Sequence, residues 1–332
     1  MGITLSALEV AAAEKGRTAA DALRAVGELV PRLDELGYQR LWFAEHHGSE
    51  WATSVVPAVL TAHFAALTSR IRLGSGGVMA PNHAPRAVAE QFATLGVLHP
   101  GRIDLGIGRG PGTHDRGIVQ DLRRGAEPAT DADYRSDVAA LLRLVSGEER
   151  LISGPLEPVD VEPWLLSSSP AGARLAAELG LPLAFAHHIR PDHTAAALSV
   201  YREQFTASRW RQEPYVMLCV EALVAATDER AAELAVPIDQ AKVGLLAGRG
   251  EAALLSPAEA ATRAIPQDVL PLILGHTGTQ VRGGVETAAR RFAQIVGQTG
   301  ADELMLFVPL YDAADRIRSF ELAVTAAGAL TA

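Results

Sequence analysis

The sequence predicts an α/β chain closed into a (β/α)8 TIM barrel, with an insertion or lid before the eighth strand. Three observations lead there. Short apolar runs of strand length alternate with longer amphipathic stretches, and the alternation runs through nearly the whole chain. The 332 residues, 48% of them hydrophobic, suit one barrel domain over residues 1–332 and suffice for a large core. The Gly, Ser and His clusters fall in loops directly after the apolar runs, where a barrel places its chemistry.

Ile3 to Val10 reads as the first strand. A helix over Thr18 to Leu36 follows, opened by Thr18 as N-cap and stopped by Gly37. Arg40 to Ala44 is the second strand. Val55 to Leu67 is a helix with Val56, Leu60, His63 and Leu67 on one face. Ile71 to Ser75 is the third strand, and the helix from Ala84 to Leu98 is opened by Pro85. Ile103 to Ile107 is the fourth strand, followed after a Gly-rich loop by a helix over Asp131 to Val145. Trp164 to Leu166, Leu183 to Ala186 and Val216 to Ala226 are strands five to seven. Helices over Ala171 to Leu179 and Asp192 to Ser208 separate them. Glu303 to Val308 is the eighth strand, before a helix from Ala313 to Ala327. Glu148 to Pro163 reads as a loop. Pro237 to Gly284, with Pro257, Pro266 and Pro271, reads as an irregular insertion or lid.

The bulk composition excludes several function classes. A net charge of −9 offers no basic footprint for nucleic acid. Lys15 and Lys242 are the only lysines, which reads as compositional bias. The single Cys219 lies in an apolar run, so it reads as a buried strand residue, without a disulfide framework and in keeping with a reducing cytoplasm. The start MGITLS fits a bare myristoylation pattern but reads better as a core strand. No signal peptide and no membrane span are expected.

The loops after the strands carry the candidate chemistry. Glu45, His46 and His47 follow the second strand, and three titratable groups are costly there unless paired or half-solvated. Histidine is readily poised for proton transfer near neutral pH; the same trio also suits a polar loop start. No metal-ligand spacing accompanies them, so no metal is expected. After the third strand, Gly74-Ser75-Gly76-Gly77 would let a flat ligand approach the backbone, or would make a plain rim turn. After the fourth, Gly106-Ile107-Gly108-Arg109-Gly110 joins loose amides to an arginine as an anion cradle, without a GxGxxG or Walker context. After the fifth, Ser167-Ser168-Ser169 runs into a helix, as a phosphate site or as simple capping. His187 and His188 follow the sixth strand, as a rim feature or a solvated pair. No GxSxG elbow occurs, and no carboxylate pair on opposed strand ends is identifiable.

In their order and spacing, RLWFAEHH (40–47), TSRIRLGSGGVMAPNHAP (68–85), AEQFATLGVLHPGRIDLGIGRGPGT (89–113), WLLSSS (164–169) and ADELMLFVPLYDAADRIRSFELA (301–323) resemble the bacterial luciferase-like monooxygenases. They look most like the single-component branch related to the alkanal monooxygenase α-chain. The resemblance covers nearly the whole chain, densely in the N-terminal third and thinly between Pro237 and Gly284. It implies a barrel that binds FMN or, in some relatives, the deazaflavin F-420. Carried over residue by residue, Gly76 and Gly77 would flank a non-prolyl cis peptide behind the flavin ring. Arg109 would contact the phosphate with help from Ser168 and Ser169, and His46 would be the acid/base. Glu45, Asn82 and Gly108 fall in the matched segments and are expected in the cofactor site.

There are departures. Gly172 stands where relatives often carry a small hydroxyl residue, and Gly108 where luciferase proper carries a cysteine. The aldehyde-binding insertion of luciferase proper is not recognisable in 237–284, so light emission is not expected.

The resemblance implies a monooxygenase that uses reduced FMN and O2 on a small organic substrate such as an aldehyde, fed by a separate flavin reductase. One alternative is hydride transfer with F-420, whose anionic tail would meet Arg109, Arg116, Arg123 and Arg124. Another is a flavin-binding barrel with little turnover. The family also implies a homodimer built on helices of the N-terminal half.

Overall fold

The protein's computed structural model describes residues 2–152, 158–246 and 253–329. Parts of the expected loop (153–157) and of the expected insertion (247–252) lie outside the described residues. The strands are β1 (Thr4–Glu9), β2 (Arg40–Phe43), β3 (Arg72–Ser75), β4 (Val78–Met79), β5 (Ile103–Gly108), β6 (Glu162–Ser167), β7 (Leu183–Ala186), β8 (Val216–Ala225), β9 (Val281–Gly284) and β10 (Glu303–Phe307). They form a parallel ring in the order β1-β2-β3-β5-β6-β7-β8-β10, closed because β10 pairs with both β8 and β1. This is the expected eight-stranded barrel. Every residue of β2, β5 and β8 is buried. That fits their largely apolar make-up, broken only by the paired charges Arg40, Asp104 and Glu221: a parallel sheet is covered on both faces.

Helices fill the crossovers: α1 (Ala19–Leu36), α2 (Pro57–Ala65), α3 (Pro85–Leu98), α4 (Arg116–Leu122), α5 (Asp131–Val145), α6 (Pro170–Glu178), α7 (Thr194–Glu203), α8 (Asp228–Leu246), α9 (Pro257–Ala261), α10 (Leu270–Thr277), α11 (Val285–Thr299) and α12 (Ala313–Gly328). Their ends follow local chemistry. The Thr18 side chain accepts from the Asp21 N–H while Asp21 reaches back, a capping box that starts α1. Gly37 ends it at φ 80°, a conformation that favours glycine. The helix expected to reach Ser208 stops at Glu203. Ser208 instead bonds the Gly180 carbonyl and two turn amides, Trp210 and Arg211.

The insertion is more ordered than expected. α8 runs through Pro237, α9 and α10 follow, and Val281–Gly284 adds β9 to the upper half of β8. Proline costs a helix interior about 3 kcal/mol. Here Leu234, Ala235 and Ile238 around it are buried in the core, and that packing outweighs the penalty. β4 is a further strand not expected from the sequence; it pairs Met79 with Gly108 of β5.

The interior is layered. At the N-terminal ends of the strands, Arg40 is enclosed between two carboxylates. Its Nη1 lies 2.8 Å from Asp104 Oδ2 and its Nε 2.8 Å from Glu303 Oε1. Arg72 pairs with the other Asp104 oxygen at 2.6 Å, and Arg211 with Glu162 at 2.6 Å. Above this lattice lie Trp42 and Trp164, edge to face at 5.3 Å, with the Arg40 guanidinium 4.6 Å from the Trp164 ring centre. The Trp42 Nε1–H donates to Asp104 at 2.9 Å. Burial works against the Arg40 charge, but Asp104 and Glu303 outweigh it and hold the guanidinium protonated. Removing one partner from a buried ion pair costs about 3–5 kcal/mol, because the other charge stays buried. Arg40→Met is therefore expected to lower unfolding stability by about that much in urea denaturation. A loss under about 1 kcal/mol would show that the lattice is not structurally coupled.

Candidate active site at the barrel mouth

Above the tryptophan layer the ring opens into a cavity of about 1620 Å³. It is lined by loops after β2, β3, β5, β6 and β7 and by the insertion. The sequence-predicted residues Glu45, His46, Gly76, Asn82, Gly108, Arg109, Ser168 and Ser169 all line it. Gly77 is not among the lining residues. It sits behind the wall, where a Cβ would lie 2.9 Å from the Gly106 carbonyl oxygen. The Gly76–Gly77 peptide is cis.

Glu45 organises the rim. It is 1% exposed, and its Oε1 accepts from His83 Nε2 at 2.8 Å, His47 Nε2 at 2.9 Å and Asn82 Nδ2 at 3.3 Å. Its Oε2 accepts the Met79 N–H at 3.0 Å. Burial would raise its pKa, but the hydrogen bonds from His83 and His47 outweigh it and hold the carboxyl below its ordinary value. Asn82 also donates to the Pro111 carbonyl at 2.9 Å, and the His47 N–H to Gly112 at 2.8 Å. Glu45 and Asn82, expected as cofactor ligands, thus spend these bonds tying together the loops after β2, β3 and β5. Half-buried His46 faces the cavity, with its backbone N–H on the Ser54 carbonyl at 3.0 Å.

One side of the cavity gathers donors for an anion. Arg109 has a 60% exposed side chain and pairs with Asp131 at the start of α5. Ser169 caps α6 and accepts the Gly172 N–H, while Ser167 Oγ accepts the Ser169 N–H at 3.0 Å. Tyr134, which sequence reading missed, has a buried hydroxyl with no hydrogen-bond partner among the described residues. Its side chain lines the cavity within reach of the Arg109 charge. A guanidinium, serine hydroxyls, a helix N-terminus and an unsatisfied phenol together suit a phosphate-bearing ligand.

The other missed groups lie toward β8. Glu221, 3% exposed, pairs with Arg282 at 2.6 Å and with Lys242 at 2.7 Å. Arg282 also holds Asp239 at 2.9 Å. Burial would raise the Glu221 pKa, but Arg282 and Lys242 outweigh it and hold it at about 2. His276 Nε2 bonds the His188 carbonyl at 2.8 Å, and the His188 ring lies 5.4 Å from Phe307. Cys219, on β8, is buried and its thiol pKa is pushed up by that burial. Among the described residues, no group of side chains could hold a metal ion, and no helix is long and apolar enough to cross a membrane.

The family profile described as luciferase-like monooxygenase matches residues 3–303. The chain belongs to that family. This luciferase-like monooxygenase is an enzyme 37% identical over 335 residues to an Escherichia coli protein named luciferase-like monooxygenase, across 97% of this chain and 96% of that one. The crystal structure of apo-MsnO8 superposes with a TM-score of 0.89 at 32% identity, covering 98% of each chain. Two more distant structures share the fold. One is the oxygenating constituent of 3,6-diketocamphane monooxygenase from Pseudomonas putida in complex with FMN, with TM-score 0.69, 18% identity and 97% of each chain. The other is an F420-dependent secondary alcohol dehydrogenase with an F420–acetone adduct, with TM-score 0.66, 15% identity and 98% and 99% coverage.

The mouth of this luciferase-like monooxygenase has a pH signature. Burial holds the His188 imidazole down at about 4, against an ordinary 6.5. Between those values the unfolded chain binds a proton that the native state excludes, so native stability falls as pH drops through that window. The melting temperature is expected to fall less steeply over pH 6.5 to 4 in His188→Asn than in the parent protein. Parallel profiles would contradict a neutral His188.

Proposed function

We propose that the cavity binds FMN and that the enzyme uses the reduced form with O2 to oxidise a small organic molecule such as an aldehyde. One observation carries the reading: Arg109, the serine turn, Gly76 and His46 line a single cavity. Arg109, Ser168 and Ser169 would hold the phosphate, and the Gly76–Gly77 wall would leave room for a flat ring. Bound reduced flavin supplies the electrons and the oxygen-activating chemistry.

The chain's own residues do the rest. Glu45 keeps the rim loops in register, and His46 moves a proton at the cavity surface. Ile238, Leu272 and Ile273 of the insertion close over the mouth as a lid and exclude water. We assign flavin reduction to a separate reductase. Exposed apolar side chains on and beside α2 and α3, among them Val59, Val97 and Leu98, offer a face for a homodimer.

A second reading has its own observation. Arg109, Arg123, Arg135 and Arg174 all line the cavity, and such a row would also receive the anionic tail of F-420. Arg116 and Arg124, expected beside them, are not among the lining residues.

Titration of the purified protein with FMN and with F-420, followed in the visible spectrum, separates the two. Saturable binding of FMN at one site per chain is expected, with O2 uptake when the flavin is reduced. Arg109→Ala should weaken FMN binding roughly tenfold or more, by losing a charge-assisted contact. His46→Ala should bind FMN normally and turn over roughly 10²-fold slower or more. Tight binding of F-420 alone would overturn the FMN reading, and an unchanged rate would remove His46 from proton transfer.

A further inference from the structure

The strand order places β8 four positions round the ring from β3, so the Glu221 side of the cavity faces the Gly76–Gly77 wall across the mouth. That side is mostly apolar, with Ile238, Leu254, Ile273 and Phe307 at its surface. Glu221, His188, His276 and Lys242 are the polar groups set among them. The chain carries only two lysines, and the other, Lys15, forms an exposed ion pair with Glu259. Lys242 is largely buried and lines the cavity.

Arg282 neutralises one carboxylate of the Glu221 and Asp239 pair, and Lys242 balances the other. The set is electrically closed. The hydrogen bonds also fix His276. Its Nε2–H donates to the His188 carbonyl at 2.8 Å, so its Nδ1 is the acceptor that faces Lys242 Nζ at 3.4 Å. Burial, then the charge of Lys242, holds the His276 pKa below its ordinary value, which keeps the ring neutral near pH 7. An ammonium has three N–H donors. Glu221 and His276 take two of them, which leaves a third donor on a side chain that lines the cavity.

We propose that Lys242 determines substrate specificity: it donates to a neutral carbonyl oxygen, such as an amide's, carried by an otherwise apolar substrate away from the atom that is oxidised. A carboxylate would bring an unbalanced charge into a set that already sums to zero, and burying such a charge is costly. An alkylammonium would meet Lys242 directly. This rests on the reading of the cavity as a flavin enzyme's reaction chamber.

The test uses FMN-loaded protein and three probes of equal chain length, octanamide, octanoate and octylammonium, with affinities measured by calorimetry at pH 7. Octanamide should bind most tightly. Lys242→Met should weaken octanamide roughly tenfold and bring it level with octylammonium, while FMN affinity changes less than twofold. Lys242→Met leaves Glu221 short of a partner, so Glu221→Gln/Lys242→Met is measured alongside it. The double variant restores charge balance, still lacks the donor, and should show the same loss. The proposal is overturned if octanamide affinity stays within twofold in both variants, if octanoate binds the parent protein more tightly than octanamide, or if no probe binds FMN-loaded protein. Failure of FMN itself to bind would instead sink the flavin reading.

Discussion

The buried ion lattice around Arg40 ties together the N-terminal ends of β2, β3, β5, β6 and β10. A ring of parallel strands could leave a channel down its axis. Here charged side chains and two tryptophans fill the layers beneath the cavity. Isolated charges could not occupy that interior. They do so because each guanidinium meets carboxylates at 2.6 to 2.8 Å and the surrounding strands hold them there. Trp42 joins the layers: its Nε1–H donates down to Asp104, and its ring forms part of the cavity surface above.

On that floor, two buried carboxylates divide the mouth. Glu45 gathers His47, His83, Asn82 and the Met79 amide, and so joins the loop after β2 to the segment after β3, while Asn82 and His47 extend the tie to Pro111 and Gly112 after β5. Glu221 gathers Arg282 and Lys242, and so fixes the insertion against β8. Each spends its charge on holding neighbours, and those neighbours shape the cavity. The sides thus differ in kind: glycines, Arg109 and the serine turn at one, and Glu221, Lys242 and His276 set among apolar side chains at the other.

Much of the barrel was legible in the sequence because the signals are local. Thr18 and Gly37 bracket α1 through capping chemistry within a few residues, and the apolar runs of β2, β5 and β8 match strands covered on both faces. The loops after β2, β3, β5 and β6 were legible for the same reason, since residues that follow a barrel strand face its mouth. The insertion was not. Pro237 reads as a break, and only the packing of its neighbours keeps α8 continuous. Lys242 was dismissed as composition because its partners, Glu221 and Arg282, lie on separate elements that meet only in three dimensions. Glu45 was legible as a rim residue, but its partners were not: no local pattern shows that His83 and Asn82 turn back toward it. Tyr134 gave no signal at all, since an unsatisfied hydroxyl on a helix is visible only in the fold.

In the proposed reading, the mouth above the tryptophan layer orients a flavin between the Arg109 and serine rim and the Gly76–Gly77 wall. A crystal structure of the protein grown with FMN tests it most directly. The phosphate is expected against Arg109 and the Ser167–Ser169 turn, the ring against the glycine wall, and open space between the ring and Lys242. A phosphate bound at the Lys242 side, or FMN found outside the barrel mouth, would contradict it.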